Sequence, residues 1–165
     1  MKYETSRLLL EALSTGGAEA IVAREPVGRS WAPDYPTTGD VRVAAFALAG
    51  NGAFATEAMP WGLYVIVEKS SGLSVGGIGF KGSPDERGEV EIGYGVCASF
   101  QGRGVASEAV LAMCDIARRG ARVVIAETER ANIASQRVLE KCGFRTDDEE
   151  DELIRWRKVV DPPAP

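Results

Sequence analysis

Between residues 89 and 117 the chain changes its hydrophobic period, and it does so across two glycines and an arginine. Glu89–Val96 alternates, with Val90, Ile92, Tyr94 and Val96 on one side and Glu89, Glu91, Gly93 and Gly95 on the other. That is the pattern of a half-buried strand. After Gly104, apolar residues recur at Val105, Ala109, Ala112, Met113 and Ile116, the spacing of an amphipathic helix closed near Gly120. The stretch Gln101-Gly102-Arg103-Gly104 therefore joins a strand to the start of a helix. The first amides of a helix lack internal partners and carry the positive end of its dipole. Glycines let a phosphate reach that backbone with no Cβ in the way, and Arg103 adds a fixed charge. A tight turn that only solves a geometric problem explains the same glycines.

The surrounding pattern sets the fold class. Arg7–Leu13 is expected as an opening strand, and Ser14 as the cap of a helix over about 15–24. Glu25–Asp40 holds three prolines and reads as an irregular loop, after which Asp40 caps a helix through about Leu48. Trp61–Glu68 and Ser74–Lys81 read as strands joined by a turn containing Gly72, and with 89–96 they form an antiparallel meander. Arg122–Thr128 reads as a buried strand, and Asn132 opens a helix stopped at Gly143. Phe144 onward and Leu153–Val159 read as a hairpin, and 161–165 as a frayed tail. The expectation is one α+β domain over residues 1–160, with helices flanking a mixed, mostly antiparallel sheet in three layers.

Composition removes several functions. At 165 residues and 45% hydrophobic, the chain has the size and make-up of a single globular domain. A formal charge of -5 argues against a broad nucleic-acid footprint. Histidine is absent, so the commonest general base and the commonest zinc ligand are both missing. Cys97, Cys114 and Cys142 show no metal spacing and suit a reduced, cytoplasmic compartment. No leader or membrane-spanning run is visible. The expectation is a cytoplasmic protein with no metal, no nucleic-acid partner and no membrane partner. Among phosphate motifs, the P-loop needs Gly-Lys-Ser/Thr, which does not occur. The dinucleotide fingerprint is nearly met by Gly102-x-Gly104-x-x-Ser107, with Glu127 near the ribose-acid position. That fingerprint belongs to consecutive parallel βαβ units, whereas an antiparallel meander precedes this turn.

Gln101-Gly-Arg-Gly-Val-Ala106 resembles the Gln/Arg-x-x-Gly-x-Gly/Ala signature of GNAT acetyltransferases. Asn132-Ile-Ala-Ser-Gln-Arg-Val-Leu-Glu-Lys-Cys-Gly-Phe144 resembles the family's Asn-x-x-Ser-x-x-Val-Leu-Glu-Lys-x-Gly-Phe helix, at a matching interval. "ETSRLLLEAL" and "IGYGVCASFQGRGVASEA" are similar to the branch containing the ribosomal-protein alanine acetyltransferases. The likeness is strong from about Leu73 to Phe144 and weak between Gly28 and Trp61, where the family's acceptor specificity usually lies. The resemblance implies a GNAT-like sheet splayed between the fourth strand (89–96) and the fifth (122–128). It implies acetyl-CoA as donor and direct transfer to a primary amine, on a protein N-terminus or a small molecule, by a monomer or homodimer. The pyrophosphate would lie on the amides of Gly102, Arg103, Gly104, Val105, Ala106 and Ser107, beside Gln101. The pantetheine would bond Tyr94, Gly95 and Val96 like an added strand, where the family's strand bulges. Asn132 would touch the cofactor, cap its helix, or do both.

Acetyl transfer to an amine needs a proton acceptor, a donor to the developing oxyanion and a proton for the thiolate. The N–H of Val96 is the expected oxyanion donor. Glu91 and Glu127 are the alternative bases, against the reading of each as a solvated or ion-paired strand residue. The family's usual tyrosine acid is replaced here by Leu139. Ser135 lies one turn earlier on the same helical face, and the resembling branch uses that serine as thiolate proton donor. A mid-helix serine also bonds its own backbone, and solvent is a further proton source. Cys97 reads as a small buried hydrophobe rather than a nucleophile. Trp31, Asp34 and Tyr35, with Asp40, would hold a cationic acceptor, unless the rings simply pack over the sheet. Two rival functions remain: a catalytically silent acyl-CoA sensor, and a partner-binding module whose glycine turn is structural.

Overall fold

The computed structural model describes residues 1–52, 54–55, 60–149 and 152–160. The expected tail at 161–165 lies outside them. Five strands form an antiparallel half: β1 (Lys2–Glu4), β2 (Leu8–Ala12), β3 (Leu63–Glu68), β4 (Leu73–Phe80) and β5 (Glu89–Val96). Between β2 and β3 the chain forms α1 (Thr15–Ala23) and α2 (Thr38–Leu48). After β5 come a 3-10 turn (Ala98–Phe100), α3 (Val105–Ala117), β6 (Val123–Glu129), α4 (Ile133–Lys141), β7 (Arg145–Glu149) and β8 (Leu153–Val159). The spatial order is β1-β2-β3-β4-β5-β6-β8-β7, in which only the β5–β6 neighbours are parallel. This is the mixed, mostly antiparallel α+β sheet expected from the pattern.

The alternation of β5 decides which layer covers which face. Val90, Ile92 and Val96 are buried in the core, which also holds Val110 and Met113 of α3. Tyr94, on the same side, reaches Ser135 of α4. The opposite face meets α2: a Cβ on Gly77 would run into Asp40 Oδ1, and Gly77 pairs with Gly95. Helices α3 and α4 thus cover one face, and α2 stands over the other.

The splay is explicit in the register. β5 and β6 pair only at Glu89↔Val123, Val90↔Val124 and Glu91↔Ile125. Beyond that point β5 runs on to Val96 beside β4, while β6 follows β8. A gap opens between them from Ile92 onward.

Three local features differ from the sequence expectation. β1 was not legible, because three residues carry too little alternation; it pairs along β2 and adds a Lys2–Glu11 ion pair at 2.7 Å. Thr37, not Asp40, caps α2: its Oγ1 accepts from Asp40 N at 3.2 Å while Asp40 Oδ2 accepts from Thr37 N at 2.8 Å. Such a reciprocal box leaves Asp40 three residues inside the start. β5 carries no bulge, its register with β4 being continuous from Ile92 to Val96. Register shifts occur instead where β3 meets β4, between Ile66 and Val67, and where β7 meets β8, between Thr146 and Asp148. Among the described residues, no helix is long and apolar enough to cross a membrane.

Candidate active site

The gap is lined by backbone. Lys81 N donates to Glu91 O, and Cys97 N donates to Val75 O, both at 2.9 Å. Main-chain polar groups alternate in direction along a strand, so residues 91, 93, 95 and 97 address β4. Tyr94 and Val96 therefore turn their N–H and C=O groups away from β4, into the gap that β6 has left. Gln101 Nε2 donates to Val96 O at 2.9 Å, tying the gap's far end to the glycine turn. The Val96 N–H is left facing the opening.

Gly102 and Gly104 hold φ of 72° and 80°, the left-handed region that side chains other than glycine's rarely enter. Gly104 is the N-cap of α3 and supplies no side-chain cap, whereas Ser14, Thr37 and Asn132 each cap their own helix. The first amides of α3 are therefore uncapped at the exit of the gap, the electropositive end of a helix. The Arg103 guanidinium stacks 4.8 Å from the centroid of the Phe100 ring, over the turn that follows β5. Ser107 O accepts from Cys142 Sγ at 3.4 Å, which fastens α3 to the end of α4.

On the α4 side, Asn132 Oδ1 accepts from Ser135 N at 3.1 Å and caps the helix. The Ser135 hydroxyl meets the Tyr94 hydroxyl at 2.7 Å, and Tyr94 also donates to Ser135 O at 3.2 Å. Burial pushes the Tyr94 phenol up to about 12, although the Ser135 contact partly offsets it. The phenol stays protonated at neutral pH. Leu139 is 0% exposed, so its position faces the core rather than the gap.

Glu91 and Glu127 share the other face, since Glu91 pairs with Ile125 and Glu127 lies two residues along β6. Glu91 is ion-paired with Lys81. Glu127 is exposed and has no ion pair among the described residues. Over this face the loop before α2 is strapped to the sheet: Ala32 N donates to Ser74 O at 3.0 Å, and Ser74 N to Ser30 O at 2.9 Å. Trp31 is half-buried and packs edge-on against Tyr35, with centroids 5.4 Å apart. Tyr35 itself is buried in the core. Asp34 accepts from Ser99 N at 2.8 Å and from Ser99 Oγ. The two Ser99 hydrogen bonds hold its carboxyl at about 2. Burial raises the Asp40 carboxyl above its usual range, Thr37 notwithstanding. Cys97 is buried with its thiol pushed up, again by burial. Among the described residues, no group of three His, Cys, Asp or Glu is placed to hold a metal ion.

Two features escaped sequence reasoning. The sequence marks Tyr94 only as a backbone position and Arg7 only as the start of a strand. Arg7 Nη1 donates to Arg103 O at 2.9 Å, inside the glycine turn. Neither contact has a local signal, since 41 and 96 residues separate the partners.

Comparison with known proteins agrees with this geometry. The family model described as "Acetyltransferase (GNAT) domain" matches residues 7–145. An uncharacterized N-acetyltransferase, YjdG of Bacillus subtilis (strain 168), is 35% identical over 99 residues, or 59% of each chain. The chain thus spans 59% of the length of that curated relative. A GNAT-family acetyltransferase from Bacillus anthracis superposes with a TM-score of 0.69 at 18% identity, covering 97% of this chain and 99% of that one. RimL, a ribosomal L7/L12 alpha-N-protein acetyltransferase solved with coenzyme A, superposes with a TM-score of 0.70 at 19% identity, covering 98% and 99%. With its strands parting beside an uncapped helix start, and a family model covering residues 7–145, the chain belongs to the GNAT acetyltransferase family.

Proposed function

We propose that this protein transfers an acetyl group from acetyl-CoA directly to a primary amine, on a protein N-terminus or a small molecule. One observation carries the reading: the edge of β5 that β6 leaves at Tyr94–Val96, with the Val96 N–H facing the gap, leads through the 98–100 turn to the glycine turn and the uncapped amides at the start of α3. A pantetheine arm fits the first, and a pyrophosphate the second. RimL, of the same fold, was solved in complex with coenzyme A. Acetyl-CoA, when bound, supplies the activated acyl group.

The protein's own groups supply the rest. Val96 N–H meets the negative charge that develops on the acyl oxygen. When Tyr94 donates to Ser135 Oγ, the serine hydrogen is free to reach the departing sulfur, and Tyr94 stays protonated behind it. Glu127 takes the proton of the attacking amine through a water. It is preferred to Glu91 because Lys81 already occupies that carboxylate. Trp31, with the strapped loop around Asp34 and Tyr35, walls the acceptor side. Asn132 holds the first turn of α4, and with it Ser135, in place.

The test is a melting scan followed by an amine panel. At 100 times its Kd, acetyl-CoA should add about 2.7 kcal/mol of stability. For a chain of this length that is about 5–11 °C in Tm. Thiol release in the presence of peptide and small-molecule amines should then identify the acceptor. A protein that does not respond to saturating acetyl-CoA is not an acyl-CoA enzyme. One that binds but never releases thiol is a sensor.

A further inference from the structure

The carboxylate of Glu108 sits in the first turn of α3, where an acidic group would repel the anion that the helix start is built to accept. It does not stand alone. Arg7 Nε donates to Glu108 Oε2 at 2.7 Å, Arg7 N to Oε1 at 2.9 Å, and the hydroxyls of Thr5 and Ser6 also bond Oε1. The carboxylate is thereby neutralised and fully engaged, and the segment before β2 is pinned to α3. Arg7 then uses its next donor on the glycine turn, Nη1 reaching Arg103 O at 2.9 Å. Its last donor group, Nη2, makes no hydrogen bond among the described residues and lies 3.2 Å from where a Cβ on Gly104 would stand.

The C=O of Arg103 and the N–H of Gly104 belong to one planar trans peptide and point in opposite directions. Holding the oxygen toward Arg7 turns the Gly104 N–H to the other side of the turn. With Gly104 on one side of this peptide and Gly102 one residue before it, both of positive φ, the turn would otherwise be free to rotate it. A loose peptide loses conformational entropy on binding an anion, and a pre-set one does not.

We propose that Arg7, anchored by Glu108, is a positioning residue for coenzyme A: it presets the Arg103–Gly104 peptide so that the turn meets the pyrophosphate already formed. The inference rests on the reading of this turn as the pyrophosphate site. Sequence alone does not place Arg7 here, because the contact with Glu108 closes across 101 residues.

The test compares coenzyme A with S-acetylpantetheine, which lacks the pyrophosphate, by calorimetric titration of wild type, Arg7→Ala and Arg7→Lys. Lysine keeps the charge but lacks the planar fork that serves Glu108 and the Arg103 carbonyl together. Arg7→Ala should weaken coenzyme A about tenfold or more, the scale of one hydrogen bond to a charged group, and leave S-acetylpantetheine unchanged. Arg7→Lys should show the same selective loss, and it carries the test should the alanine variant not fold. Equal losses for both ligands would make Arg7 a merely structural residue and overturn the proposal, as would no loss for either. A wild type that binds coenzyme A no better than S-acetylpantetheine would instead overturn the pyrophosphate site itself.

Discussion

Gly104→Ala separates the two explanations of the glycine turn. Residue 104 holds φ +80°, so alanine there adopts a left-handed conformation that costs about 1–2 kcal/mol. The new Cβ would lie 3.2 Å from Arg7 Nη2, the end of a flexible side chain that can move a few tenths of an ångström. Alanine also narrows the unfolded ensemble, which offsets part of the strain. The net loss is about 1 kcal/mol, or about 2–4 °C in Tm at this chain length. The variant therefore stays folded at room temperature, where calorimetric titration with coenzyme A should show affinity down at least about tenfold, the equivalent of one lost charge-assisted hydrogen bond. Gly50→Ala is the matched control. It carries a similar φ of +82°, with nothing within 4 Å of the added Cβ, at the end of α2. It should melt lower by a similar amount and bind coenzyme A normally. If Gly104→Ala shows the lower Tm and an unchanged Kd, the turn is only a turn, and the cofactor reading of residues 102–107 is wrong.

Ser135→Ala should lower kcat about 100-fold, the scale of one general acid, with little change in coenzyme A affinity. Tyr94→Phe should cost less, because it removes the support and keeps the donor; thiol release at saturating acetyl-CoA distinguishes them. Glu127→Gln should lower turnover at saturating acetyl-CoA, while Glu91→Gln should not. The reverse ranking in the same thiol-release assay would exchange their roles. Burial opposes ionisation of Glu108, but Thr5 and the Arg7 amide and guanidinium outweigh it and hold the carboxyl at about 2. A depressed carboxyl stabilises the fold above its unfolded value, near 4.5, and that stability is lost as pH falls from there toward 2. Urea midpoints measured from pH 6 to 2 should therefore fall more steeply for wild type than for Glu108→Gln.

What the sequence made legible was whatever repeats with a local period. β5, α3 and α4 appeared within a residue or two of their bounds because alternation, a 3.6-residue stripe and capping residues agree there. Three-residue β1 offered no period, and the α2 start was misplaced because Thr37 and Asp40 are both good caps. The candidate site divides the same way. Gly102, Gly104 and the splay followed from local motifs and the family's pattern. The engagements of Asp34 with Ser99, Tyr94 with Ser135 and Arg7 with Glu108 close across 65, 41 and 101 residues. Nothing in one chain's periodicity encodes such partners.

The missing tyrosine shows how those long-range contacts change the chemistry. On sequence, Leu139 is a gap in the machinery, since it stands where many relatives place a phenol. In the fold, Leu139 is fully enclosed, and Ser135, the proposed donor, lies one turn back along α4. A phenol does reach that turn, but it comes from β5, where Tyr94 bonds Ser135 at 2.7 Å. Burial keeps that phenol protonated, so its one hydrogen serves either Ser135 Oγ at 2.7 Å or the Ser135 carbonyl at 3.2 Å, and the first arrangement leaves the serine hydrogen free. Because Tyr94 also contributes its backbone to the gap, the strand that would hold the pantetheine also carries the phenol that supports Ser135, the proposed proton donor on α4. In the proposed mechanism, a shift of β5 that misplaced the thioester would also disturb the contact that orients Ser135. Cofactor binding on β5 and proton delivery from α4 would then be coupled through the Tyr94–Ser135 contact.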